Sequence, residues 1–388
     1  MRILMSLYNQ VGRGTYWRAL PLAQELGARG HEVTLMAISP ARRGSFGSQT
    51  IKDVEVVETP DLLPGSLRSG WDPWDVVARM GWLRGRAFDV AHAFEGRPVA
   101  LLPALFVHRR QGIPLLLDWC DWFGRGGSLE ERSSPLVRAV LGPVETFFEE
   151  APRSRASGGT VINRVLRDKA LALGVKPERL LLLPNGCNVD DIHPAGREEA
   201  RRDLGLPLDA ELIAYTGAIF RQDAHLMAAA FDRIRAAHPR ARLLLVGYCN
   251  LAVEELVQEP AAVLRTGPVS YSRLARYLAA CDLGWLPLCN SGANRGRSPL
   301  KMHDMIAAGR PVVATRVGDV HWLEEAGIGR LATDTPEDLA RQTTELLENR
   351  DELEQKGRLA RYLAETELAW EHQASKLEAF YRCFLDRS

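Results

Sequence analysis

Hydrophobic positions group into short runs separated by amphipathic stretches, and the two alternate from the first residues on. "RILMSLY" (2–8), "HEVTLMAI" (31–38), "VEVVET" (54–59), "DVAHAF" (89–94), "PLLLDW" (114–119), "GTVIN" (159–163) and "RLLLLPNG" (179–186) read as buried strands. Helical periodicity lies between several of them, notably in residues 16–30, 98–112 and 135–156. A second series follows, with strands at 211–217, 241–247, 263–267, 282–288, 311–315 and 329–333 and helices at 224–239, 251–260 and 271–281. Strand–helix alternation of this kind predicts an α/β chain with two doubly wound parallel sheets. The Pro, Gly and charge content of residues 190–210 predicts the break, with domains at 1–195 and 209–365 and a linker at 196–208. The last segment, 366–388, carries an apolar stripe of Leu368, Ala369, Ala374, Leu377, Phe380 and Phe384.

Composition narrows this picture only a little. The 388 residues suffice for two full cores, and 49 basic against 49 acidic residues give no global sign of a nucleic-acid partner. Six scattered cysteines form no C-x-x-C pair, as expected of reduced thiols outside any zinc site. No apolar run reaches membrane-spanning length and the N-terminus has no signal-peptide pattern, so a cytoplasmic protein is expected. Residues 71–88 mix tryptophan with arginine in the manner of an interfacial patch, so the location extends at most to peripheral contact with the inner membrane face; an amphipathic helix packed on its domain is the plainer account.

The densest chemistry is in "NRGRSPLKMHDMIAAGRPVVAT" (294–315). Ser298 suits an N-cap and Pro299 the first helical position, Gly309 ends the helix after about three turns, and "VVAT" resumes a buried strand. A helix start beside Arg295, Arg297 and Lys301 suits an anion such as a diphosphate.

Several stretches together resemble the retaining glycosyltransferases of family 4. They are "GRG" (Gly12, Arg13, Gly14), "LLLPNGCNVDDIHP" (181–194), "YTGAIFR" (Gly217, Arg221), "LLLVG" (Gly247), "ACDLGWLPL" (280–288) and "SPLKMHDMIAAGRPVVAT" (298–315). The resemblance implies a GT-B fold, two Rossmann-like domains facing a central cleft, with the final helix crossing back to the first domain. It also implies metal-independent transfer of a sugar from a nucleotide-diphosphate sugar to an acceptor hydroxyl with retention of configuration. No cofactor beyond the donor substrate is implied, and the acceptor is a carbohydrate, a lipid-linked molecule or a small molecule of a polysaccharide or glycoconjugate pathway.

Carried onto this chain, Arg221 falls near the family's diphosphate-binding basic residue, although Ala218 stands where an Arg is usual. Lys301 and Arg297 are then expected to share that task, and donors aimed at the growing diphosphate charge lower the barrier. Asp304 matches the second acid of the E-x7-E pair, a ribose acceptor, whereas the first acid is replaced by Gly296. Asn294 or the backbone around Gly296, Arg297 and Ser298, next to Pro299 and Leu300, is expected to take its place at the donor. Asp121, with Asp118 nearby, is expected at the catalytic or acceptor position, where relatives carry a His-Asp pair and this chain has Cys120–Asp121. His92 and Glu95 are further acceptor-side candidates, and Glu95 is expected to pair with Arg97. The loss of the first acid leaves a second reading, a non-catalytic nucleotide-sugar-binding homologue. A dinucleotide-dependent oxidoreductase is weaker, since "GRGTYW" lacks the third glycine.

Overall fold

A computed structural model describes residues 1–132 and 134–386. It divides into two compact units: Met1–Asn185 with Gly296–Ser298 and Trp370–Ser388, and Gly186–Arg295 with Pro299–Ala369. The first holds eight strands, β1 (Arg2–Gln10), β2 (Glu32–Ile38), β3 (Gly47–Ile51), β4 (Val54–Thr59), β5 (Val90–Phe94), β6 (Leu115–Trp119), β7 (Gly158–Val161) and β8 (Leu180–Leu182). Their order is β3-β4-β2-β1-β5-β6-β7-β8, parallel except for β3. The second holds β9 (Glu211–Thr216), β10 (Ala241–Val246), β11 (Val263–Arg265), β12 (Leu283–Leu286), β13 (Val312–Thr315) and β14 (Gly329–Ala332), parallel throughout in the order β11-β10-β9-β12-β13-β14. Strand order reverses direction between β1 and β5 and again between β9 and β12, and the carboxyl ends at such switch points are where open α/β sheets hold ligands.

The buried apolar runs account for both sheets. Ile3, Leu4, Met5 and Leu7 of β1 are fully buried, each contributing about 1.5–3 kcal/mol relative to exposure. The edge strand β3 was not foreseen from the sequence, because "GSQTI" is polar and solvent-facing, as an antiparallel edge permits. Residues 196–208 differ from the expected linker: Arg197–Leu204 is a helix of the second unit, and buried Arg201 donates to the carbonyls of Ala210 and Ala280 and to Asp282. The first unit ends at Asn185 rather than 195. Residues 251–260 form only the short turn Val253–Glu255. The terminal helix is Trp370–Leu385 and buries Trp370, Ala374, Leu377 and Tyr381, whereas Leu368 and Ala369 belong to the second unit; Arg387 and Ser388 of the expected helix lie outside the described residues.

One helix is inverted. Pro135–Glu150 exposes Leu136, Val140, Leu141, Val144 and Phe147 and buries Glu145, Thr146 and Glu149. The buried side is polar because it serves the loops beside it. Glu149 accepts from the backbone N–H groups of Phe123 and Gly124, both at 2.7 Å, and from Trp119 Nε1 at 3.1 Å. Glu145 pairs with Arg97 and Arg132, each at 2.6 Å. The inversion sets an expected pattern in urea unfolding: Leu136→Lys shifts stability by no more than about 0.5 kcal/mol, while Glu149→Leu, which strands three buried donors, costs about 2–4 kcal/mol. Equal effects would assign the helix to conventional packing.

Candidate active site

In the first unit, the switch point is framed by the loop after β1. Gly12 and Gly14 take positive φ, +78° and +53°, where a Cβ is unfavourable, and a Cβ on Gly14 would stand 2.7 Å from the Asn9 amide. Asn9 Oδ1 accepts from Thr15 N at 2.9 Å and Thr15 Oγ1 at 2.5 Å, fixing the turn into the helix Tyr16–Ala28. Arg13 is exposed at its tip.

The carboxyl ends of β5 and β6 carry the other first-unit candidates, and the structure reassigns three of them. His92 is fully buried in β5, with Nδ1 at 2.7 Å from the Tyr381 hydroxyl and Nε2 at 3.3 Å from Thr160 Oγ1; burial lowers its pKa to about 4. It is a neutral core histidine. Asp118 is also fully buried, and Arg18 grips it with two bonds of 2.9 Å while also donating to the Leu183 carbonyl and Asn185. Burial pushes the Asp118 carboxyl up, but the Arg18 fork outweighs it and leaves the pKa below the ordinary value. Its role is to tie the first helix to the sheet. Glu95 adopts φ +71°, a rare conformation for a side chain with a Cβ, and its Oε1 accepts from Cys120 N at 2.6 Å, Cys120 Sγ at 3.0 Å and Asp121 N at 2.9 Å. It faces Arg153 at 3.7 Å, and Arg97 turns instead to Glu145. Glu95 is therefore the clamp that shapes the Cys120–Asp121 turn.

Ligand atoms of Glu95, Cys120 and Asp121 lie within 4.8 Å of one another. The thiol is a poor metal ligand there, because burial first and the carboxylates next hold its pKa well above the ordinary thiol value. Asp121 is only partly exposed; burial raises its carboxyl to about 6, with Arg297 pulling the other way. Arg297 belongs to the tripeptide Gly296–Ser298, which is part of this unit. The missing first acid has a packing cause here. A Cβ on Gly296 would stand 2.3 Å from Trp122 Cβ.

In the second unit, the loops after β9 and β10 turn through Gly217 (φ +72°) and Gly247 (φ +87°), and space beside Gly217 is open. Lys301 rises beside this turn. Its Nζ lies 3.9 Å from the centre of the Tyr215 ring and donates to Tyr215 Oη at 2.7 Å and the Ala218 carbonyl at 2.9 Å. Arg221 is exposed at the first position of the helix Arg221–Ala237. The helix bearing Lys301 is Leu300–Ala307, shorter than expected, with Pro299 rather than Ser298 at the N-cap; the Ser298 carbonyl accepts from Asn185 Nδ2. Asp304, one turn on, accepts from the Tyr271 hydroxyl at 2.9 Å, and burial raises its carboxyl to about 6. Asn294 is buried, and its amide N–H groups donate to Asp223 at 2.9 Å and the Cys289 carbonyl at 2.8 Å, bracing the loop after β12.

Sequence reasoning missed Tyr215, Tyr271, Arg18 and Trp122. An aromatic residue at the carboxyl end of β9 and an arginine in an apolar helix were the available signals.

Two outcomes are expected. Gly296→Ala destabilises by about 1–3 kcal/mol in urea, the range for overpacking, and Trp122→Ala in the same chain does not relieve it, because the nearest atom, the Trp122 Cβ at 2.3 Å, is kept by alanine; a neutral single variant would remove the packing cause. Glu95, raised by burial to about 8, holds a proton in the folded chain that the unfolded chain releases near 4.5, so its contribution to stability is lost as pH rises from 4.5 to 8. Glu95→Gln should flatten the unfolding profile over that window, and an unchanged slope would show that Glu95 is ionised throughout.

Comparison with known proteins agrees with this layout. Residues 13–186 match the family described as glycosyl transferase 4-like domain, and residues 210–349 match glycosyl transferases group 1. A D-inositol 3-phosphate glycosyltransferase of Thermobispora bispora is 30% identical over 196 residues, 46% of this chain and 44% of that protein. The chain spans about half the length of the curated relatives it matches. Among solved structures, a sucrose-phosphate synthase of Thermosynechococcus elongatus superposes with a TM-score of 0.78 at 18% identity, covering 100% of this chain and 99% of that one. Anabaena HepE in complex with UDP-glucose gives 0.70 at 17% identity, covering 99% and 100%. With both halves matched in order and the two parallel-sheet units in place, the chain is a member of the GT-B glycosyltransferase family.

Proposed function

We propose that this chain is a retaining, metal-independent glycosyltransferase that moves a hexose from a nucleotide-diphosphate sugar to an acceptor hydroxyl. The observation that carries the proposal is Lys301, a cation fixed by Tyr215 and Ala218 beside the open Gly217 turn at the switch point of the second sheet. In this reading Lys301, Arg221 and the first-turn N–H groups of Leu300–Ala307 receive the charge that grows on the diphosphate as the glycosidic bond breaks. The leaving diphosphate oxygen takes the proton of the attacking acceptor hydroxyl on the same face. Asp304 accepts from the ribose hydroxyls with the oxygen that Tyr271 does not engage. In the first unit, Asp121 orients the acceptor, and Arg13 on its glycine loop and Arg297 supply positive charge. No helix among the described residues is long and apolar enough to cross a membrane; a cytoplasmic location is part of the same proposal.

The relatives' names suggest which substrates to try first: UDP-glucose as donor and D-inositol 3-phosphate as acceptor. Thermal unfolding with a panel of UDP-, GDP- and ADP-sugars should show stabilisation by one nucleotide, followed by transfer from the matching donor. Arg221→Ala should lower turnover about a hundredfold or more, and Asp304→Asn should chiefly weaken nucleotide binding. Because Asp304 titrates near 6, nucleotide affinity of the wild type should fall as pH drops below that value, and this fall should vanish in Asp304→Asn. Nucleotide binding without any transfer would support the non-catalytic homologue instead.

A further inference from the structure

At the opposite end of the helix Leu300–Ala307 from Lys301, a cavity of about 320 Å³ has four arginines in its lining, Arg197, Arg310, Arg358 and Arg361, with the carboxylates Asp282 and Glu354. Arg310 is the anomaly. Its side chain is 8% exposed, and its Nε has no hydrogen-bond partner among the described residues. Burial first and neighbouring Arg197 second pull its pKa down to about 10, so it stays charged at neutral pH. Arg197 repeats the pattern, with a buried Nε that also lacks a hydrogen-bond partner.

The carboxylates nearby are occupied. Asp282 Oδ1 meets Arg197 at 2.9 Å and Arg350 at 2.8 Å, and its Oδ2 takes Arg201 at 2.8 Å and the Leu212 N–H at 2.7 Å. Glu354 lies 3.7 Å from Arg358 at the exposed rim. Arg310 and Arg197 thus each keep one buried Nε without a hydrogen-bond partner among the described residues at the cavity wall. The single carboxylate of Asp282 is shared among Arg197, Arg201 and Arg350 as well as attracting Arg310, which leaves an excess of positive charge that a further anion would offset.

We propose that this cavity is a second ligand site, which takes a phosphate group between the guanidinium forks of Arg310 and Arg197, with Arg358 at its mouth. Planar forks match a tetrahedral oxyanion through paired charge-assisted bonds. The cavity exceeds a single phosphate in size, so a small phosphorylated metabolite fits it as well as the free ion. Its occupant lies against Gly309 and Arg361, and Arg361 Nη1 holds the Ala307 carbonyl at 2.8 Å. The site therefore adjoins the last turn of the helix whose first turn carries Lys301.

The test is thermal unfolding of the full chain against inorganic phosphate and, separately, glucose 6-phosphate, at ionic strength matched with sodium chloride. The wild type and Lys301→Ala should both show a saturable rise in Tm, and the apparent Kd should weaken at least about tenfold in Arg310→Met and in Arg358→Glu. Tighter binding of glucose 6-phosphate identifies an organic phosphate as the ligand, and the reverse order identifies the free ion. A rise abolished by Lys301→Ala but kept in Arg310→Met would place the anion at the donor site and overturn the proposal. So would a rise matched by chloride, or none. Arg358 is 73% exposed in its side chain, so Arg358→Glu carries the test if Arg310→Met does not fold.

Discussion

The loops at the carboxyl ends of both sheets depend on one constraint: backbone N–H groups leaving a buried parallel strand must find acceptors where water does not reach. Buried carboxyl groups supply them. Glu95 receives the N–H groups of Cys120 and Asp121, Glu149 those of Phe123 and Gly124, and Asp223 that of Cys289. A carboxyl group buried this way needs more than the amides, so arginines gather around the first sheet's end. Arg153 lies between Glu95 and the face of Trp119, and Arg18 holds Asp118. The acidic residues that look most like catalytic groups in the sequence are thus mainly the scaffold on which the exposed groups stand.

The proposed chemistry draws on a smaller set, and its members share a property. Asp121 and Asp304 are each raised toward 6 by burial while keeping partial access to solvent, and Lys301 donates to the Tyr215 hydroxyl and the Ala218 carbonyl while its charge also pulls the Asp304 carboxyl down. Arg221, exposed at a helix start, adds a solvent-facing positive charge to a fixed one.

Strand positions were legible because period and apolarity suffice for buried parallel strands, and the two-sheet architecture followed from their alternation with helices. Function in individual residues was harder to see. His92 and Asp118 carry the right chemistry for a site, but they lie within strands β5 and β6, facing Tyr381, Thr160 and Arg18, and no local pattern shows which side of a fully buried strand meets a polar network. Asn294 looked like a loop residue facing a ligand because its partner, Asp223, is 71 residues away in sequence. The linker failed for a related reason: the charges of residues 196–208 suggested solvent, while Arg201 is a core residue serving three distant acceptors. Lys301, Asp304 and Gly217 were singled out from helix-start and glycine-turn signals, which are local.

Gly296 and Trp122 carry a consequence for redesign. The atoms that would meet a Cβ at 296 are the Trp122 Cβ at 2.3 Å, its N at 3.2 Å and its Cα at 3.3 Å, so the barrier belongs to the path of the backbone and not to the indole. Exchanging the tryptophan for another residue with a Cβ therefore opens no space, and a side chain returns to 296 only if the two chain segments move apart.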